Sequence, residues 1–175
     1  MRGWFFQRFG RDERGASAIE FALLAPVLLL VLVGTVTVFD MFRNAQNVEK
    51  ATFTVGDILS RQTSISKASL HALMSMMRHT VPTAEDGGLR VTSLTRKSGK
   101  LEQDWTKIVG NAESVGSEPI PQDILPDIAD GDSVILTESF VPHSAMFAAF
   151  GLDVVVFKGR AVHRPRFVGT IAYQR

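Results

Sequence analysis

The chain has 175 residues, with 19 basic against 18 acidic side chains, a net charge of +1 and no cysteine. So even a balance argues against a general affinity for nucleic acid, and the missing thiols exclude disulfides, thiolate metal sites and a cysteine nucleophile. The length holds one modest domain together with a membrane element, on either face of a bacterial inner membrane as far as thiol chemistry is concerned.

In chain order, Arg2, Arg8, Arg11 and Arg14 outnumber Asp12 and Glu13 ahead of a long apolar run, so residues 1–15 read as a basic cytoplasmic leader. The run from Phe21 to Phe39, "FALLAPVLLLVLVGTVTVF", has 19 residues and no charge. As a helix it spans about 28 Å, close to the roughly 30 Å of a bilayer core. Backbone polar groups in lipid must be satisfied within the segment, which predicts a transmembrane helix over 16–40. Basic residues before it and Asp40 directly after it orient the N-terminus to the cytoplasm and the remainder to the periplasm. A removed secretory signal fits poorly, because the apolar region is too long and "DMFRNAQN" offers no small-x-small cleavage site. Pro26, inside this helix, frees the carbonyl of Ala22 and predicts a kink.

Glu20 stands on the threshold of the apolar run, preceded by the small or apolar residues Gly15, Ala16, Ser17, Ala18 and Ile19. An acid at membrane depth needs a partner. Were the chain cut after Gly15, the new amine of Ala16 would lie about one helical turn from the Glu20 carboxylate. That amine, on the same subunit or a neighbouring one, would neutralise the carboxylate and fix the axial register between helices.

The pattern "G-A-S-A-I-E-F" ahead of a long apolar run resembles the processing signal of type IV pilin-like proteins. More narrowly, "RGASAIEFALLAPVLLLVLVG", with Gly15, Glu20, Phe21 and Pro26, is similar to the N-terminus of the TadE-like (TadE/TadG-type) pseudopilins of tight-adherence (Tad/Flp) pilus systems. The resemblance implies cleavage between Gly15 and Ala16 by a prepilin peptidase, with Glu20 and Phe21 recognised in processing and assembly. It also implies partners: other pseudopilin or pilin subunits met through the transmembrane helix, and the Tad assembly platform proteins. The expected place is the inner membrane, crossed once, or a pilus. The expected role is structural, without cofactor or enzymatic activity. The alternative reading is an uncleaved single-pass protein displaying a periplasmic binding module.

Beyond the run, Val48, Ala51, Val55, Ile58 and Leu59 recur at helical spacing. They predict a helical stalk over 41–81, interrupted at "SRQTS", with Ser64 capping the next helix. Leu70, Leu73, Met74, Met77 and Val81 form one stripe of that helix and read as core. Residues 82–175 read as a β-rich periplasmic domain. "LRVTSLTR" and "LEQDWTKIV" form a hairpin about Ser98-Gly99, and 112–131 is a long loop with a short turn at "PQDIL". "DSVILTESFV" is a strand, and "PHSAMFAAFG" permits a helix too short to span a membrane. "LDVVVFKGRAVHRPRFVGTIAYQR" supplies two or three closing strands with a turn at Lys158-Gly159. Helix first and antiparallel sheet afterwards gives an α+β class.

No catalytic constellation emerges. His71, His79, His143 and His163 lack the spacing of a helical metal pair, and no phosphate-loop or nucleophile-elbow pattern is present. "DIADGDS" suggests part of a calcium loop, but Ala129 and Asp132 occupy positions that need a ligand and a glycine. Lys158, Arg160, Arg164 and Arg166 read as a solvated strand face.

Overall fold

A computed structural model describes residues 16–144 and 154–174. The leader, Gly15 and most of "PHSAMFAAFG" lie outside the described residues. Helix α1, Ala16–Ser60, runs without a break through the apolar run and well past it. The chain divides into two compact units between Phe39 and Asp40, where the apolar run ends.

In the second unit, the far part of α1 buries Val48, Ala51, Val55 and Leu59, spaced to fall on one helical face. A turn and the short strand β1, Ser64–Ser66, separate it from α2, Lys67–Thr80. The stretch 41–81 is therefore two helices joined by a strand. The cap of α2 is Ser66, two residues later than the sequence predicts. Its hydroxyl accepts from Ser69 N at 3.2 Å and Ser69 Oγ accepts from Ser66 N at 2.9 Å, a reciprocal capping box. Ser64 is committed to β1, which pairs in parallel with β6, Ala172–Gln174. The stripe Leu70, Leu73, Met74, Met77 and Val81 is buried as expected.

Four antiparallel strands form the main sheet in the order β3-β2-β4-β5. They are β2, Gly88–Lys97; β3, Lys100–Gly110; β4, Ser133–His143; and β5, Val155–His163. The β2–β3 hairpin turns at Ser98 and Gly99, both at positive φ (51° and 79°), as a two-residue hairpin turn that matches strand twist requires. A bulge in β3 shifts the register between Ser93 and Leu94, and leaves Asp104 free to accept from Thr95 Oγ1 at 2.5 Å.

One sheet face, with Leu89, Val91, Ile135 and Val141, packs against α1 and α2 in the larger apolar cluster. Each large aliphatic side chain removed from water there contributes about 1.5–3 kcal/mol. On the other face, Leu94, Val134 and Leu136 meet Ile128, with Ile120, Ile124 and Leu125 partly buried beside them. Ile120, Ile124, Leu125 and Ile128 come from the long loop after β3, which opens with a single helical turn at Ala112–Val115.

The predicted turn at Lys158-Gly159 is absent: β5 runs straight through it, pairing Lys158 with Phe140 and Gly159 with Ser139. Glycine stands there for space. A Cβ on Gly159 would fall 2.9 Å from Thr52 Cβ and 2.7 Å from Ser139 Oγ, so the bare backbone lets α1 approach the sheet.

Candidate functional site: the long N-terminal helix

The residues that sequence patterning singles out lie at the head of α1. Ala16 opens the helix; Glu20 and Phe21 follow one turn on, both exposed, and Glu20 makes no ion pair among the described residues. An i, i+4 step sets Ala16 and Glu20 on one helical face, separated by about 6 Å of rise. Pro26 lies within the helix, which continues past it.

Leu23, Leu24 and Val27 through Leu32 are each more than half exposed. Hydroxyls along the run are satisfied by the helix itself: Thr35 Oγ1 donates to Val31 O at 2.8 Å and Thr37 Oγ1 to Val33 O at 2.9 Å. Polar groups closed on their own backbone beside exposed aliphatic side chains suit hydrocarbon surroundings. Among the described residues, α1 is the one helix long and apolar enough to cross a membrane.

The other end of α1 is held by the sheet domain. Thr52 is fully buried; its hydroxyl reaches Val48 O at 2.7 Å and shares a hydrogen bond with Ser139 Oγ, directly over Gly159. Gly56 admits the His163 ring, since a Cβ there would lie 2.6 Å from His163 Nδ1. Asp57 binds Arg61 at 2.8 Å and also pairs with Arg166, whose backbone N donates to Ser60 O at 2.8 Å. At the start of this unit, Asp40 Oδ2 lies 3.2 Å from Nε2 of the buried His143.

The basic cluster of β5 and its C-terminal extension is matched by acids of the same chain. Lys158 pairs with Glu118, Arg164 with Asp132 at 2.8 Å and Arg166 with Asp57. Arg160 lies 3.5 Å from Glu138 and 3.6 Å from Glu118. Glu138 is completely buried, and its main partner is Arg90 Nε at 2.6 Å. The Lys158 ammonium holds the Glu118 carboxyl below its ordinary value. The acids of "DIADGDS" are engaged too: Asp127 with Arg96, Asp130 with Gly99 N at 2.9 Å and Asp132 with Arg164. Among the described residues, no group of three or more histidine or acidic side chains is placed to hold a metal ion. His79 Nδ1 lies 2.8 Å from Ser75 O, its own helix, whereas burial drives the His163 imidazole below its ordinary value.

Residues 15–57 match the family model described as TadE-like protein. No curated protein and no solved structure matches the chain. The matched segment begins at Gly15, beside the first residue of α1, and ends at Asp57, the acid that ties α1 to Arg166. It therefore takes in the exposed apolar run together with the buried Val48, Ala51, Thr52 and Val55.

Patterning alone missed three features of this helix's setting: the Asp40–His143 approach, the Thr52–Ser139–Gly159 crossing and the Asp57–Arg166 pair. Only the crossing had a readable signal. Phe157, Gly159, Ala161 and His163 alternate at strand spacing toward the helix side, a period that carries straight through the glycine.

Proposed function

We propose that this protein is a pseudopilin-type subunit of a Tad pilus system. It crosses the inner membrane once, with its N-terminus in the cytoplasm and its α+β domain in the periplasm. In this reading a prepilin peptidase cuts between Gly15 and Ala16. Gly15, without a side chain, lets an extended backbone enter a narrow protease cleft. The liberated Ala16 ammonium then meets the Glu20 carboxylate of its own or a neighbouring subunit. That pairing draws the helix into register with other pilin-like subunits on the assembly platform, while Phe21 and the apolar run supply the packing surface.

The observation that supports this reading is the TadE-like match over 15–57, on a helix that opens at Ala16 and carries an exposed Glu20 one turn later. The role is mechanical: lipid stores the subunit, and charge pairing guides docking. Glu20→Gln keeps the size of the side chain and removes its charge. It is expected to leave the protein in the membrane and abolish pilus assembly; normal piliation in cells carrying only that variant would contradict the proposal.

A further inference from the structure

The main sheet has two edge strands, β3 and β5, and they are built differently. An open edge offers a row of unpaired N–H and C=O groups to another chain, and folded proteins blunt it with charges, bulges or proline. β3 is blunted: it carries a bulge and the charged residues Lys100, Glu102, Asp104 and Lys107. β5 lacks both a bulge and proline. It pairs with β4 without a register shift from Val155 to His163, and among the described residues it has a neighbouring strand on one side only. In an antiparallel pair alternate residues commit their backbone groups to the neighbour, so the other residues of β5 turn theirs outward.

Beside this edge lies an open groove of about 760 Å³, lined by Gln46, Glu49, Lys50, Phe53 and Thr54 of α1 and by Arg160 of β5. Phe53 is 61 % exposed, although its ring centre stands 4.8 Å from that of His163, the last residue of β5. A large apolar ring thus stays in water beside unpaired backbone. On the opposite face of the sheet, Lys158 and Arg160 project from β5. They share the acids Glu118 and Glu138 with Arg90, so three cations meet two anions and one positive charge is in excess within the cluster.

We propose that β5 is a docking edge, where an extended segment of a second polypeptide adds a fifth strand to the four of the sheet. Its apolar side chains lie against Phe53 in the groove, and its acidic side chains lie beside Lys158 and Arg160. Main-chain hydrogen bonds along the strand supply affinity, and the alternating side chains supply selection. Opposite charges facing each other across paired strands are favourable and like charges are not, so the surplus cation sets the sign of the partner. The inference concerns the sheet domain alone and does not rest on the pilus reading.

Two capped peptides test it, each as long as the nine residues of β5, one alternating valine with glutamate and the other valine with lysine. Each is added to the full-length protein in detergent micelles while backbone amide hydrogen exchange is followed residue by residue. The glutamate peptide should slow exchange at alternate amides of β5 and leave those of β3 unchanged, and the lysine peptide should bind several-fold more weakly. Lys158→Glu should reverse that preference, with unchanged protection of β2 and β4 showing that the fold is kept. Exchange in β5 that neither peptide slows overturns the inference, and so does equal slowing in β3, since binding would not then belong to one edge. Equal binding of both peptides removes the acidic partner. Amides of β5 that are all protected before any peptide is added overturn it too, because the edge would then be covered by the chain itself.

Discussion

Gly159 of β5 and Thr52 of α1 touch backbone to side chain, at the point where the helix crosses the sheet. A Cβ on Gly159 would fall 2.9 Å from Thr52 Cβ, nearer still to the Thr52 hydroxyl, and 2.7 Å from Ser139 Oγ. Both hydroxyls are buried and bonded to each other, so neither can turn aside without losing that bond. Gly159→Ala is therefore expected to destabilise the domain by about 1–3 kcal/mol, the usual cost of overpacking. Denaturant unfolding of the detergent-solubilised protein, followed by tryptophan fluorescence, measures it. An unchanged midpoint would mean that the helix does not sit this closely on β5.

Glu138 is buried against Arg90, whose Nη1 also donates to Glu118 O at 2.7 Å and whose guanidinium lies 5.4 Å from the Phe140 ring centre. Removing one member of such a pair strands the other charge, so Arg90→Met should cost about 3–5 kcal/mol. Arg160, 3.5 Å from the same carboxylate and a third exposed, compensates only in part. Replacing both members, as in Arg90→Met with Glu138→Leu, should recover much of the loss. A double variant less stable than the single one would contradict this account of the pair.

His163 supplies a pH dependence. Burial lowers its imidazole below the ordinary 6.5; Asp57 pulls it up and Arg166 pushes it down. The unfolded chain thus binds a proton there more readily than the folded one. The contribution to stability is complete above pH 6.5 and declines as the pH falls below that value toward the folded-state one. Comparing denaturant midpoints at pH 7.5 and pH 5.5 should show a smaller loss on acidification in His163→Phe than in the natural chain. An identical loss in both would remove His163 from the acid response.

Much of this was legible in the sequence because it followed from period and composition. An uncharged apolar run long enough for a bilayer, the 3.6-residue stripe of Leu70, Met74 and Met77, and the two alternating segments about Ser98-Gly99 each carry their own signal. The errors came where tertiary packing overrode local preference. Ser64 is a good helix cap by chemistry, but pairing with Ala172 draws it into a strand and leaves capping to Ser66. Lys158-Gly159 has the composition of a turn, yet the glycine is there to admit Thr52, more than 100 positions earlier in the chain. The basic residues of β5 and of the segment after it are exposed, as the sequence reads, but their acid partners Glu118, Asp132 and Asp57 come from distant segments. No local pattern announces a contact across such a separation.

The central claim, that Glu20 guides assembly by pairing with a newly exposed amine, depends on that amine being made. Intact-mass and N-terminal analysis of the protein recovered from membranes of piliated cells tests this most directly. The account expects mature chains that start at Ala16, with Glu20 as their fifth residue. Assembly-competent protein that still starts at Met1 would contradict it.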